Sequence, residues 1–142
     1  MSKGTEFANR WLDAATRGEL DTLVSTCQPD VELSNPDGTF HGYEGVRTLF
    51  KVITDATSER ECEVSNIVES GDSVVVEFIF RGNNTGPFVT PQSTIPATYR
   101  NFSLPTIAVY DLREGRLINS RGQYDRLTLM SQLGLIPAPA SA

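Results

Sequence analysis

The apolar residues of this chain change their period twice, and those changes restrict the fold more than any other feature. Up to about residue 55 they recur at helical spacing; between 61 and 124 they alternate; helical spacing returns at the end. Phe7, Ala8, Trp11, Leu12 and Ala15 share one helical face. Thr5 is the expected N-cap, and Gly18 after Arg17 the expected stop. Leu20, Leu23 and Val24 predict a second short helix, ending near Cys27 and before Pro29. Residues 31–35 read as a strand closed by the turn Asn35-Pro36-Asp37-Gly38. Residues 43–55 read as a helix with Val46, Leu49, Phe50 and Ile53 on one side.

Beyond that helix, residues 61–69 alternate weakly, Ser70-Gly71-Asp72 turns the chain, and residues 73–81 form a strong strand. Residues 83–96 are rich in Gly, Pro, Asn and Thr and predict a long loop of the kind that often carries function. A strand over 99–112 follows, with Pro105 demoting part of it to an edge or bulge. After the turn Arg113-Glu114-Gly115 comes the last strand, 116–124. Its alternation puts Ile118, Ser120, Gly122 and Tyr124 on one face. Asp125 then caps a closing helix with Leu127, Leu129, Met130 and Leu133, ending at Gly134. Helices, then antiparallel strands, then a short helix make an α+β domain, a curved antiparallel sheet with helices packed on one face.

A length of 142 residues suits one domain with one real core. The net charge of -6 argues against nucleic acid and against an anionic membrane surface as partners. A single histidine, His41, excludes a multi-histidine metal site within one chain. Cys27 and Cys62 match no zinc or redox spacing. Two reduced thiols in a cytoplasmic protein are expected, because residues 1–13 lack the apolar core of a signal peptide. The sequons at Asn83 and Asn101 are then chance matches. With no Gly-x-Gly-x-x-Gly, phosphate loop or metal cluster, no cofactor is expected.

Three stretches resemble the SnoaL-like polyketide cyclases of the nuclear-transport-factor-2-like, or ketosteroid-isomerase-like, superfamily. The first is Arg17-Gly18-Glu19-Leu20-Asp21 with Pro29-Asp30-Val31-Glu32-Leu33 and Gly42-Tyr43-Glu44-Gly45-Val46-Arg47. The second runs from Phe80-Arg81-Gly82-Asn83 into the long loop through Phe88. The third joins Gly115-Arg116-Leu117-Ile118, Tyr124-Asp125-Arg126-Leu127 and Gln132-Leu133-Gly134. The resemblance implies a cone-shaped α+β barrel over residues 1–136, in which a bent sheet wraps the N-terminal helices around an apolar pocket. It also implies a homodimer formed through the sheet and a mobile tail over 137–142. Family members range from cyclases, epoxide hydrolases and isomerases to interaction modules without catalysis, so fold alone does not select among them.

Residue by residue, the family's acid–base positions hold neutral groups here. Asn35 stands where ketosteroid isomerase has its carboxylate base, and Trp11 where it has a tyrosine. Gly122 and Ser120 stand at the cyclase acid and histidine positions; Thr106 and Ala108 fall near the epoxide hydrolase Arg and Asp. The resemblance therefore points to a polyketide-like substrate closed into a ring mainly by binding and shape, whether pericyclic or aldol in type. Asn35, Ser120 and Tyr124 are expected to polarise its carbonyl groups. Trp11, Phe50, Phe78, Phe80 and Phe88 are expected to line the pocket, with Thr106, Ala108 and Gly122. Two other readings stay open: an epoxide hydrolase or isomerase with a relocated carboxylate, Glu77 or Glu32, and a ligand-binding or dimerisation module without catalysis. Glu77 faces away with Arg81 if Val74, Val76, Phe78 and Phe80 face inward. His41 is expected at a turn, and Asp125 as a cap rather than an acid.

Overall fold

The structure, a computed structural model, describes residues 2–89 and 93–137. Helix α1 (Lys3–Arg17) starts two residues before the expected Thr5. Thr5 lies inside the helix, and its N–H donates to Glu69 Oε1 at 2.7 Å. A carboxylate from a distant strand thus meets the positive end of the helix, where sequence reasoning had placed a local cap. Gly18 ends α1 in the left-handed region at φ 71°, and its N–H turns back to Ala14 and Ala15 carbonyls. Next come α2 (Leu20–Ser25), β1 (Cys27–Asn35), a short β2 (Gly38–His41) that completes a hairpin, and α3 (Gly42–Ala56).

Four longer strands and a small hairpin make up the rest: β3 (Ser58–Ser70), β4 (Ser73–Asn83), β5 (Phe88–Val89), β6 (Thr94–Ile95), β7 (Asn101–Arg113) and β8 (Arg116–Tyr124), then α4 (Arg126–Gln132). Six strands form one sheet in the order β2-β1-β8-β7-β4-β3. The expected sheet was wholly antiparallel; β1 runs parallel to β8, so it is mixed. It is also open, with β2 and β3 as free edges, rather than a closed barrel. The loop over 83–96 carries the separate β5–β6 pair. Of the expected tail, residues 138–142 lie outside the described residues.

The sheet curls around the helices: α1 packs on β3 and β4 while α3 packs on β1 and β2, at the opposite edge. Between them Phe7, Ala8, Trp11, Leu23, Val31, Val46, Val74, Val76 and Leu117 form the main core. A second cluster, Phe102, Leu104 and Leu133, seats α4 on β7. Pro105 sits within a strand that has neighbours on both sides, yet the expectation of an edge holds locally. β8 ends at Tyr124, opposite Thr106, so residues 101–105 pair with β4 alone. On the open side the backbone of Ser103 is met by the Gln132 side-chain amide, at 2.8 and 3.0 Å. Pro105, two residues on, turns its missing N–H the same way and costs no ladder bond.

Candidate functional site

A cavity of about 1150 Å³ opens between the concave face of the sheet and helices α1 and α3. Its rim is made by the β1–β2 turn, the β5–β6 hairpin and α4. Its deep end is aromatic: the Trp11 ring meets Phe50 edge-on at 5.4 Å and Tyr110 at 6.3 Å.

Strand alternation delivers the expected residues to this wall. From β4 come Phe78 and Phe80, whose inward neighbours Val74 and Val76 are buried in the core. From β7 come Thr106 and Ala108, and from β8 Ser120, Gly122 and Tyr124. Trp11 of α1, Phe50 of α3, Asn35 at the end of β1 and Phe88 of β5 complete the expected set, all of it on the cavity wall. Asn35 Oδ1 accepts the Asp37 N–H at 2.8 Å, so its amide nitrogen is not used in that bond. Ile118 departs from the pattern. The register between β7 and β8 slips after the Asp111–Asn119 pair, so Leu112 meets Leu117 and Ile118 is the extra residue of a bulge. Leu117 is buried instead, and Ile118 does not line the cavity.

Other candidates lie elsewhere. Glu77 points away from the cavity, as its alternation with Phe78 requires. Its carboxylate accepts from Asn66 at 3.1 Å, and not from Arg81, which pairs with Glu63 at 3.1 Å. Glu32 faces His41 across the β1–β2 pair at 3.6 Å, outside the cavity. Neither glutamate is therefore a relocated pocket carboxylate. His41 ends β2 and precedes α3, exposed. Asp125 caps α4: it accepts the N–H groups of Leu127 and Thr128 and the Thr128 hydroxyl, bonds that hold its carboxyl below the usual range.

Sequence reasoning missed several wall residues, of which three bear on the polar chemistry of the site. Tyr110, 2% exposed, brings a buried phenol to the deep end, and burial pushes its pKa up. Asp37 and Arg126 are the other two, and both meet the expected Tyr124. The Tyr124 hydroxyl donates to Asp37 Oδ2 at 3.0 Å, and Arg126 Nη1 donates to Asp37 Oδ1. Burial, then the Asp37 charge, raise the Tyr124 pKa, so this phenol stays protonated. The signal for Asp37 lay in plain view in the turn Asn35-Pro36-Asp37-Gly38, where turn chemistry explained it fully. Lys51 and Asp55 pair at 2.8 Å elsewhere on the wall.

Cys27 and Cys62 are free thiols, and Cys62 lines the cavity. Among the described residues no helix is long and apolar enough to cross a membrane. The wall as a whole combines a largely apolar interior, with polar side chains that include Asn35, Ser120 and Tyr110, and a held carboxylate near the rim.

Comparison with known proteins places these features in a family. The search of curated proteins finds no match to this chain. Among solved structures, TsrD from Streptomyces laurentii is 25% identical, with a TM-score of 0.82 over 94% of this chain and 96% of that one. A candidate SnoaL-like polyketide cyclase from Jannaschia sp. CCS1 is 22% identical, with a TM-score of 0.83 over 95% and 94%. IdmH, a candidate polyketide cyclase from Streptomyces antibioticus, is 22% identical, with a TM-score of 0.77 over 94% and 99%. At these identities the last two likenesses establish the fold alone. The family model described as a SnoaL-like domain matches residues 8–119. With most of its length matched and the cone-like fold in place, the chain belongs to the SnoaL-like domain family.

Proposed function

We propose that this domain binds a polyketide-like, largely apolar chain in its cavity and promotes intramolecular ring closure. The observation that carries the reading is the cavity itself. It is large enough for a chain of drug-like size or more, and it is lined by aromatic rings with a few convergent donors. Holding a flexible chain folded on those rings removes much of the entropy barrier to closure. Asn35 Nδ2 and the Ser120 hydroxyl polarise carbonyl oxygens, and negative charge that develops there meets preset donors. Tyr124 serves through its proton, which the Asp37 carboxylate orients.

The enzyme works without a cofactor in the cytoplasm. It assembles as a homodimer through the outer sheet face, where Val68 and Ile107 are exposed at 53% and 44%. The reading is tested with a synthetic linear poly-β-ketone ester, following conversion to ring-closed isomers of unchanged mass. Faster closure than in buffer, lost when Asn35, Ser120 and Tyr124 are all replaced, supports it. Full activity in that triple variant overturns the assigned roles.

A ligand-binding domain without turnover is the second reading, favoured by the neutral deep wall. It predicts quenching of Trp11, the one tryptophan of the chain, by the same ketone with no new product.

A further inference from the structure

We propose that Asp37 is the proton-transfer residue of the cavity, held in position by Arg126 and returning its proton to the product through Tyr124. The proposal rests on the ring-closure reading above and deepens it by naming the base.

Four observations carry it. Asp37 is on the cavity wall. Its side chain is about one-third exposed, at 34%, so it is neither sealed in the core nor free in solvent. Its carboxylate is fixed from two elements other than its own, by Tyr124 of β8 and Arg126 at the start of α4. Its backbone is fixed as well, through the N–H bonded to Asn35 Oδ1 at 2.8 Å. An ionised carboxylate offers about four acceptor sites, so two partners leave others open to a substrate. Asp55, the other wall carboxylate, is 55% exposed and tied only to Lys51 one turn away on the same helix, the ordinary pattern of a solvated helix face. The Asp125 cap sets the start of α4 and stands between Tyr124 and Arg126 in sequence, so one local motif aims both partners at Asp37.

The substrate class is a ketone with an acidic C–H beside its carbonyl. Asp37 takes that proton: the C–H bond breaks, an O–H bond forms on the carboxylate, and the electron pair moves to the carbonyl oxygen as an enolate. Asn35 Nδ2 donates to that oxygen. The enolate carbon then bonds to a second carbonyl carbon of the same chain, whose oxygen becomes an alkoxide. The alkoxide takes the proton of Tyr124, and Tyr124 regains one from Asp37. The product is an isomer of the substrate, and no co-reactant is consumed. Asp37 and Tyr124 both end as they began.

The test uses 5-nitrobenzisoxazole, a flat apolar C–H acid. A positioned base takes its ring proton while the N–O bond breaks, releasing a coloured phenolate. The intact wild-type protein is expected to show saturable opening above the buffer rate. Asp37→Asn is expected to lose about 100-fold or more, the usual scale for a positioned base. Asp37→Glu, which keeps a carboxylate, retains turnover; Glu77→Gln, on the outer face, matches wild type. Arg126→Gln lowers kcat with KM unchanged, and Arg126→Lys restores part of it. Equal melting temperatures of wild type and Asp37→Asn separate chemistry from unfolding; if Asp37→Asn unfolds, the Arg126 pair decides.

A wild-type rate no higher than buffer, an unaltered rate in a folded Asp37→Asn, or a loss that follows Asp55→Asn instead overturns the proposal. If the probe is opened through Asp37 while linear poly-β-ketones are not closed, Asp37 stands and the ring-closure reading falls.

Discussion

Replacing Asn84 by alanine tests how the cavity rim is built. Asn84 is fully buried at the start of the segment that carries the β5–β6 hairpin. Its Nδ2 donates to the Ala56 and Gly86 carbonyls at 3.0 and 2.8 Å. Its Oδ1 accepts from the Thr98 N–H and hydroxyl at 2.9 and 2.8 Å. One side chain therefore ties the two ends of the loop, at 86 and 98, to the end of α3. Gly86 shows how tight this junction is, since a Cβ there would lie 1.9 Å from the Asp55 carbonyl oxygen. Truncation leaves the Thr98 N–H and the Gly86 carbonyl without that partner. Ala56 fares better, because its carbonyl also accepts the Gly86 N–H at 3.2 Å. Two partly buried groups at about 1–2 kcal/mol each make a loss of about 3 kcal/mol. At about 2–4 °C per kcal/mol for a domain near this size, melting falls by about 6–12 °C. Urea unfolding followed by Trp11 fluorescence measures the loss directly. Asn84→Asp keeps the acceptor but turns the donor into an oxygen facing two carbonyls, so it is at least as destabilising. A loss below about 1 kcal/mol for both variants would refute the clamp, as solvent would then be replacing the amide at little cost.

Further outcomes follow from the same structure. Gly122→Leu directs a side chain into open space, since nothing lies within 4 Å of a Cβ there. It should weaken apolar ligands by about tenfold or more, seen as lost Trp11 quenching, while melting shifts by only a few degrees. Burial pushes the Cys62 thiol up to about 11 and Cys27 up to about 12. At pH 8 alkylation of Cys62 should therefore run about a hundredfold slower than for a free thiol and that of Cys27 slower still, and a cavity ligand should protect Cys62 but not Cys27. Asp111 is held below the usual carboxylate range, first by its bond from Arg121 at 2.7 Å and then by that from Ser73 at 2.6 Å. A lowered folded pKa adds stability above the unfolded value, about 3.9, and loses it as pH falls through the folded one. Asp111→Asn should thus be less stable than wild type at pH 7, and the gap should narrow as pH falls below the unfolded value in equilibrium unfolding.

Periodicity is a local property, and what it governs was legible in the chain. The inward set Val74, Val76, Phe78 and Phe80 against the outward Glu77 followed from alternation and one buried face. So did the helical faces around Trp11 and Phe50, and with them part of the cavity wall. The bulge at Ile118 broke the rule because a register slip depends on the neighbouring strand, and nothing in Arg116–Tyr124 itself announces it. Parallel pairing of β1 with β8 was hidden for the same reason: residues near 33 and 120 meet only after the sheet has assembled.

The sequence by itself set most of the inward faces, Ile118 excepted, since alternation depends on residue type and spacing. Only the tertiary structure decided which carboxylates reach the cavity, Asp37 and Asp55 among them. It excluded Glu77 and Glu32, and it joined Asp37 to Tyr124 and Arg126 across 87 and 89 positions. No local pattern encodes that meeting. It exists because the β1–β2 turn, the end of β8 and the start of α4 converge on one side of the cavity mouth.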